Sequence, residues 1–137
     1  MHSVYYFVFA VLIAVIGISV NFKFHIDKMK DNPADQGKIQ TKFFIANAII
    51  EIIPIILVVF GFMNTRPVSS TADLLIPIAI TIIATLFGVL FIFLQSKVDV
   101  TEEIKAFIRS FTFIGLMMIL AFPIIAIVAM LLMLNMA

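Results

Sequence analysis

An all-α membrane protein with four transmembrane helices is the fold class this sequence predicts, and three observations predict it. The first is composition. Of 137 residues, 64% are hydrophobic and 12% charged, against roughly 45–50% and about 25% in a soluble domain. A globule of this size leaves too much surface facing water to hide that excess, and intrinsic disorder needs the opposite composition. The second is segmentation: four stretches, residues 4–22, 43–63, 74–94 and 110–136, are near or above the about 20 apolar residues that a bilayer core requires. The third is the placing of basic residues, which alternates from one connection to the next.

The first stretch begins close to the N-terminus but has no basic segment before it and no convincing cleavage site after it, so it reads as a retained helix rather than a signal peptide. After it come Lys23, Lys28, Lys30, Lys38 and Lys42, and then the second stretch, which contains one charge, Glu51. The connection 64–73 has Arg66 as its only basic residue, beside the turn formers Asn64 and Pro67. The third stretch leads to Lys97, Lys105 and Arg109, and the fourth runs nearly to the end of the chain without another charge. Basic loops stay cytoplasmic. The expectation is two tandem antiparallel hairpins with cytoplasmic loops and both termini outside, residues 1–66 forming the first and 67–137 the second. The lysines need no role beyond setting this topology.

The hairpins look like repeats. A shift from 44 to 113 places Phe44 and Ile45 on Phe113 and Ile114, and Pro54, Ile55 and Ile56 on Pro123, Ile124 and Ile125. Apolar helices match easily by chance, so the shared proline depth counts for more than the isoleucines. In this alignment Leu120 replaces Glu51.

Several chemistries are absent. Net charge is +1 and cysteine is missing, so there is no basic field for nucleic acid, no disulfide and no thiolate chemistry. His2 and His25 are too few and too distant for a metal cluster. No phosphate loop or nucleophile constellation is present. No catalytic residue, metal or cofactor is expected.

Glu51 remains. It lies eight residues into its stretch, about 12 Å deep, where an acid costs on the order of 2.5–3.5 kcal/mol. Lipid disfavours the charged form, so the resting carboxyl is expected to be protonated. Such a group, ionising where it meets water, can carry H⁺. It can also simply bridge helices while neutral. Asn47 shares its helix face and either holds the carboxyl or ties two helices together. Pro54 withdraws a backbone N–H near Glu51 and frees the carbonyl of Ile50, or only kinks the helix for packing.

Residues 32–59, NPADQGKIQTKFFIANAIIEIIPIILVV, resemble the second half of the c-subunit (proteolipid) of rotary ATPases. Asn32 and Pro33 match its polar bend, Phe44 and Ile45 follow at the family's distance, Glu51 falls on the ion-binding carboxylate and Pro54, Ile55 and Ile56 on the segment after it. Asp27 stands where the family usually has Glu. With residues 113–125 as a second copy, the chain is similar in plan to the duplicated four-helix proteolipids. The resemblance implies a proton-carrying subunit in a homo-oligomeric or mixed ring, a stator protein with a buried Arg, a central stalk docking at Asp31, Asn32 and Pro33, and a bacterial inner membrane. The family's alternating glycines are here Ile13, Val15, Gly17 and Ser19. Its sodium-binding members use a Gln and a hydroxyl where this chain has Ile18, Ile52 and Ile53, so the implied ion is H⁺. The alternatives are a non-transporting proteolipid-like scaffold or assembly factor and a small proton-coupled exporter. The exporter reading fits less well, because such exporters carry the Glu in the first helix and use Trp, which is absent here.

Overall fold

The computed structural model describes residues 2–136 and is built of helices throughout the described residues. Four helical units are long and apolar enough to cross a membrane: Val4–Asp31, Pro33–Met63, Thr71–Gln95 and Lys105–Asn135. The chain is thus a multi-pass membrane protein by length and composition.

The first helix, α1 (Val4–Asp31), runs well past the end of its apolar stretch at residue 22. The extension contains no Gly or Pro and is supported by the pair Lys23 Nζ to Asp27 Oδ2, 2.8 Å and one turn apart. It stops where it must. Pro33 disfavours helical backbone at the preceding residue, and Asn32 adopts φ −131°, its N–H donating to the Lys28 carbonyl. Lys28 and Lys30 in the last turn face the negative end of the helix dipole.

A short 3-10 turn, Pro33–Asp35, leads into α2 (Gln36–Ile50), and α3 (Ile52–Met63) follows with Glu51 between them. The second span, expected as one helix, is one helical unit, Pro33–Met63, with helical dihedrals retained at Glu51 where α2 passes into α3. Asn64 closes α3, both its N–H and its side-chain amide donating to the Phe60 carbonyl at 3.0 and 2.8 Å. A second 3-10 turn, Thr71–Leu74, precedes α4 (Leu75–Gln95), whose Pro77 sits in the first turn, where a missing N–H costs nothing. Asp99 takes the left-handed conformation (φ 53°) in the turn before α5 (Lys105–Asn135), a role Asp tolerates better than most residues.

Helix α1 is the hub. It packs against α2, α3, α4 and α5, while α5 also packs along α4. Phe7, Val11, Ile18, Phe22 and Ile26 of α1 are fully enclosed, and of its large apolar residues only the stripe Phe9, Ile13, Ile16, Val20 and Phe24 is exposed. Lipid tails are as apolar as leucine, so helices in a bilayer associate through close packing of small residues and through hydrogen bonds. Both devices converge on α1. A Cβ added to Gly17 would lie 2.5 Å from Ile50 Cγ2, one on Gly61 2.7 Å from the Phe7 ring, one on Gly88 2.8 Å from Val15, and one on Gly115 2.7 Å from the Phe22 ring. Each of these four glycines thus lets another helix approach the hub. At one end of the bundle Lys30 Nζ donates to the Gln95 carbonyl at 2.6 Å. At the other, Val68 N–H donates to the Met133 carbonyl at 3.1 Å.

Candidate functional site

The inward face of the second span is a stripe of Ile39, Phe43, Asn47, Pro54 and Gly61, spaced by about one or two helical turns. Glu51 follows Asn47 by one turn and lies at the edge of that stripe, half-buried. Ile49, Ile52, Ile53 and Ile55 around it are half or more exposed. The carboxyl thus sits on the border between the bundle and the lipid-facing surface, near the middle of Pro33–Met63. Among the described residues no ion pair engages it.

Backbone geometry sets Glu51 apart from its neighbours. Its N–H donates to the Asn47 carbonyl and its own carbonyl accepts from Ile55 N–H, both at 2.9 Å. Pro54 has no N–H, so the Ile50 carbonyl lacks its usual partner four residues on. Glu51 keeps helical dihedrals (φ −73°, ψ −10°). The helix thus continues through Glu51 with one backbone bond missing, which leaves the Ile50 carbonyl as a polar group beside the acid, in a region where unsatisfied groups are costly.

Asn47 takes a different place from Glu51. It is 1% exposed; its Oδ1 accepts from Asn21 Nδ2 at 3.2 Å, and its Nδ2 donates to Met118 Sδ at 3.0 Å. Asn21 Nδ2 also donates to the Phe43 carbonyl at 3.2 Å. The side chain therefore ties α1, α2 and α5 together. His25, one turn beyond Asn21, is buried with Nδ1 2.9 Å from the Asn21 carbonyl. A carbonyl only accepts, so Nδ1 carries the proton in that bond.

Next to the amide bridge lies an aromatic plug. Phe22 stacks on Phe111 with ring centroids 5.0 Å apart, and Phe43 meets Phe111 edge-on at 4.8 Å; all three rings are at most 1% exposed. Plug and bridge fill the interior between the Glu51 level and the end bearing Lys23, Lys28 and Lys30. Glu51 itself borders the outer surface, where Ile49, Ile52, Ile53 and Ile55 are exposed.

The other sequence-selected residues lie apart from this cluster. Asp31 and Asn32 are exposed and Pro33 half-buried in the turn after α1, separated from Glu51 by the 15 residues of α2, about 22 Å of helix. Leu120, which the sequence alignment sets on Glu51, is half-buried within α5. Among the described residues no group of three or more His, Asp or Glu could hold a metal ion. Sequence reasoning missed Asn21 and the bridge it makes. The available signal was that Asn21 is the one amide inside the first apolar stretch, as Asn47 is in the second. Compared with models of known families, curated proteins and solved structures, the chain finds no match.

Proposed function

We propose that this chain is a proton-carrying membrane proteolipid in which Glu51 is the reversibly protonated group. The observation that carries the reading is the position of Glu51: one acid, half-open, where α2 passes into α3 among exposed isoleucines. In lipid the neutral form is favoured; against an aqueous half-channel or a basic partner the proton leaves. Because Glu51 borders the outer surface, exchange takes place on that face, as a rotor subunit requires and a pore does not. A membrane potential supplies about 2.3 kcal/mol per charge per 100 mV to bias the steps.

In this reading the chain forms two hairpins with basic loops in the cytoplasm and termini outside, in a bacterial inner membrane. Copies assemble into a ring, alone or with related subunits, against a stator carrying a buried Arg, and the turn at Asp31, Asn32 and Pro33 faces a central stalk. The family resemblance of residues 32–59 supports this assembly. Matching burial in the two copies adds to it: Pro54 and Pro123 are buried, and Ile55 and Ile124 exposed.

One observation favours a second reading, a non-transporting scaffold of the same descent. Gly17, Gly61, Gly88 and Gly115 all serve contacts within the chain, leaving no glycine of the four apolar stretches for close ring packing.

Labelling by a hydrophobic carbodiimide, which attacks protonated carboxyls in apolar surroundings, separates the two. Modification mapped to Glu51, fading only at alkaline pH and indifferent to Na⁺, is the expected result. Protein that is folded yet unreactive at every pH would leave the scaffold as the better account.

A further inference from the structure

A second polar site lies away from Glu51, at the turn between α4 and α5. A cleft of about 450 Å³ opens there, lined on its polar side by Lys97, Lys105, Arg109 and Glu102. Glu102 approaches Lys105 only loosely, at 3.8 Å with both side chains largely exposed. Lys97 Nζ lies 5.0 Å from the centre of the Phe93 ring, a cation–π contact that leaves its other face free. The cleft holds three cations against one acid.

Its shape matters as much as its charge. Along α5, Lys105, Arg109, Phe113 and Leu116 recur at intervals of four, four and three, so they form one stripe. The stripe changes from charged to apolar as it enters the span, Arg109 standing at the border. Phe93 of α4 faces it across the cleft. An ion with a charged head and a hydrocarbon tail fits this gradient, and a soluble anion uses only half of it.

We infer that this cleft is a binding site for an anionic phospholipid, its phosphate among Lys97, Lys105 and Arg109 and one acyl chain along Phe113 and Leu116. Basic pockets between helices at a membrane boundary are suited to such headgroups. The inference stands independently of any role for Glu51.

The test uses the full chain reconstituted in phosphatidylcholine vesicles with trace spin-labelled phosphatidylglycerol or phosphatidylcholine, reading the motionally restricted fraction of each. The expected result is a preference for phosphatidylglycerol that falls about five-fold per cation removed in K97Q/K105Q/R109Q. It should survive in K23Q/K38Q/K42Q, which removes three lysines outside the cleft. Glu102→Gln, freeing Lys105, should raise it. All these side chains are exposed or half-exposed, so the fold tolerates the changes. Equal loss in both triple variants would reduce the effect to a diffuse surface charge and overturn the site. So would no preference at all, or displacement of the lipid by inorganic phosphate, which would make it a site for free phosphate.

Discussion

The two proline-bearing spans carry similar sequence and are packed differently. Pro54 lies three residues after Glu51, where α2 passes into α3, whereas Pro123 lies inside α5, which runs from Lys105 to Asn135. The local chemistry is the same, since each proline removes one N–H from the ladder. The surroundings are not. Helix α5 is packed against both α1 and α4, while α2 and α3 rest chiefly on α1, and the shares of each span buried are 39% and 17%. Contacts on two sides constrain a helix across a missing hydrogen bond more than contact on one side does. The acid occurs in the less constrained span, among exposed isoleucines. Proline depth alone does not distinguish the two spans.

Exchanging the acid between the spans tests this comparison most severely. In a Glu51→Gln background, carbodiimide labelling should vanish, and adding Leu120→Glu should restore only a small part of it, because α5 is packed on two sides. Full restoration, mapped to position 120 by mass spectrometry, would show that half-burial alone is sufficient.

Packing around the hub should discriminate next. Gly115→Val places its Cβ against the Phe22 ring, which is itself stacked on Phe111, and should cost about 1–3 kcal/mol. Gly17→Val meets only Ile50 on the loosely held second span and should cost less, by displacing α2. Unfolding in mixed micelles gives both values, and the reverse order would contradict the clamped position of α5.

Removing the bridge is a smaller perturbation. Asn47→Ala leaves Asn21 with the Phe43 carbonyl alone, and intramembrane hydrogen bonds average about 0.6 kcal/mol, reaching about 1.7. The same unfolding assay should show a loss in that range, with labelling of Glu51 retained; loss of labelling would instead tie Asn47 to the carboxyl. Pro54→Ala should slow amide exchange from Glu51 to Ile55 by mending the ladder, while Pro123→Ala should barely alter exchange in α5. Smallest of all, Lys23→Ala removes an exposed pair with Asp27 and should change stability by less than about 0.5 kcal/mol.

Much of the fold was legible in the residues. A bilayer demands length and apolarity of each span and tolerates little else, so stretches 74–94 and 110–136 were readable within a few residues of α4 and α5. The end of α1 was not, because its last turns are polar and lie beyond the apolar signal; Pro33 marks the stop more clearly than hydropathy does. Glu51 was visible as the one acid in a span. Asn47 was visible too, yet its partners Asn21 and Met118 were not. Sequence periodicity says which residues share a helix face and is silent on which helix that face meets.

From sequence alone, then, came the membrane class, the number of spans and the isolation of Glu51, because solvation by lipid acts on each residue through its own chemistry. Which helix became the hub, where the amide bridge formed and which proline-bearing span was packed on two sides were decided by tertiary packing. Those outcomes depend on close approach at Gly17, Gly61, Gly88 and Gly115 and on the rings of Phe22, Phe43 and Phe111. Packing is a property of pairs distant in the chain, and no single stretch contains it.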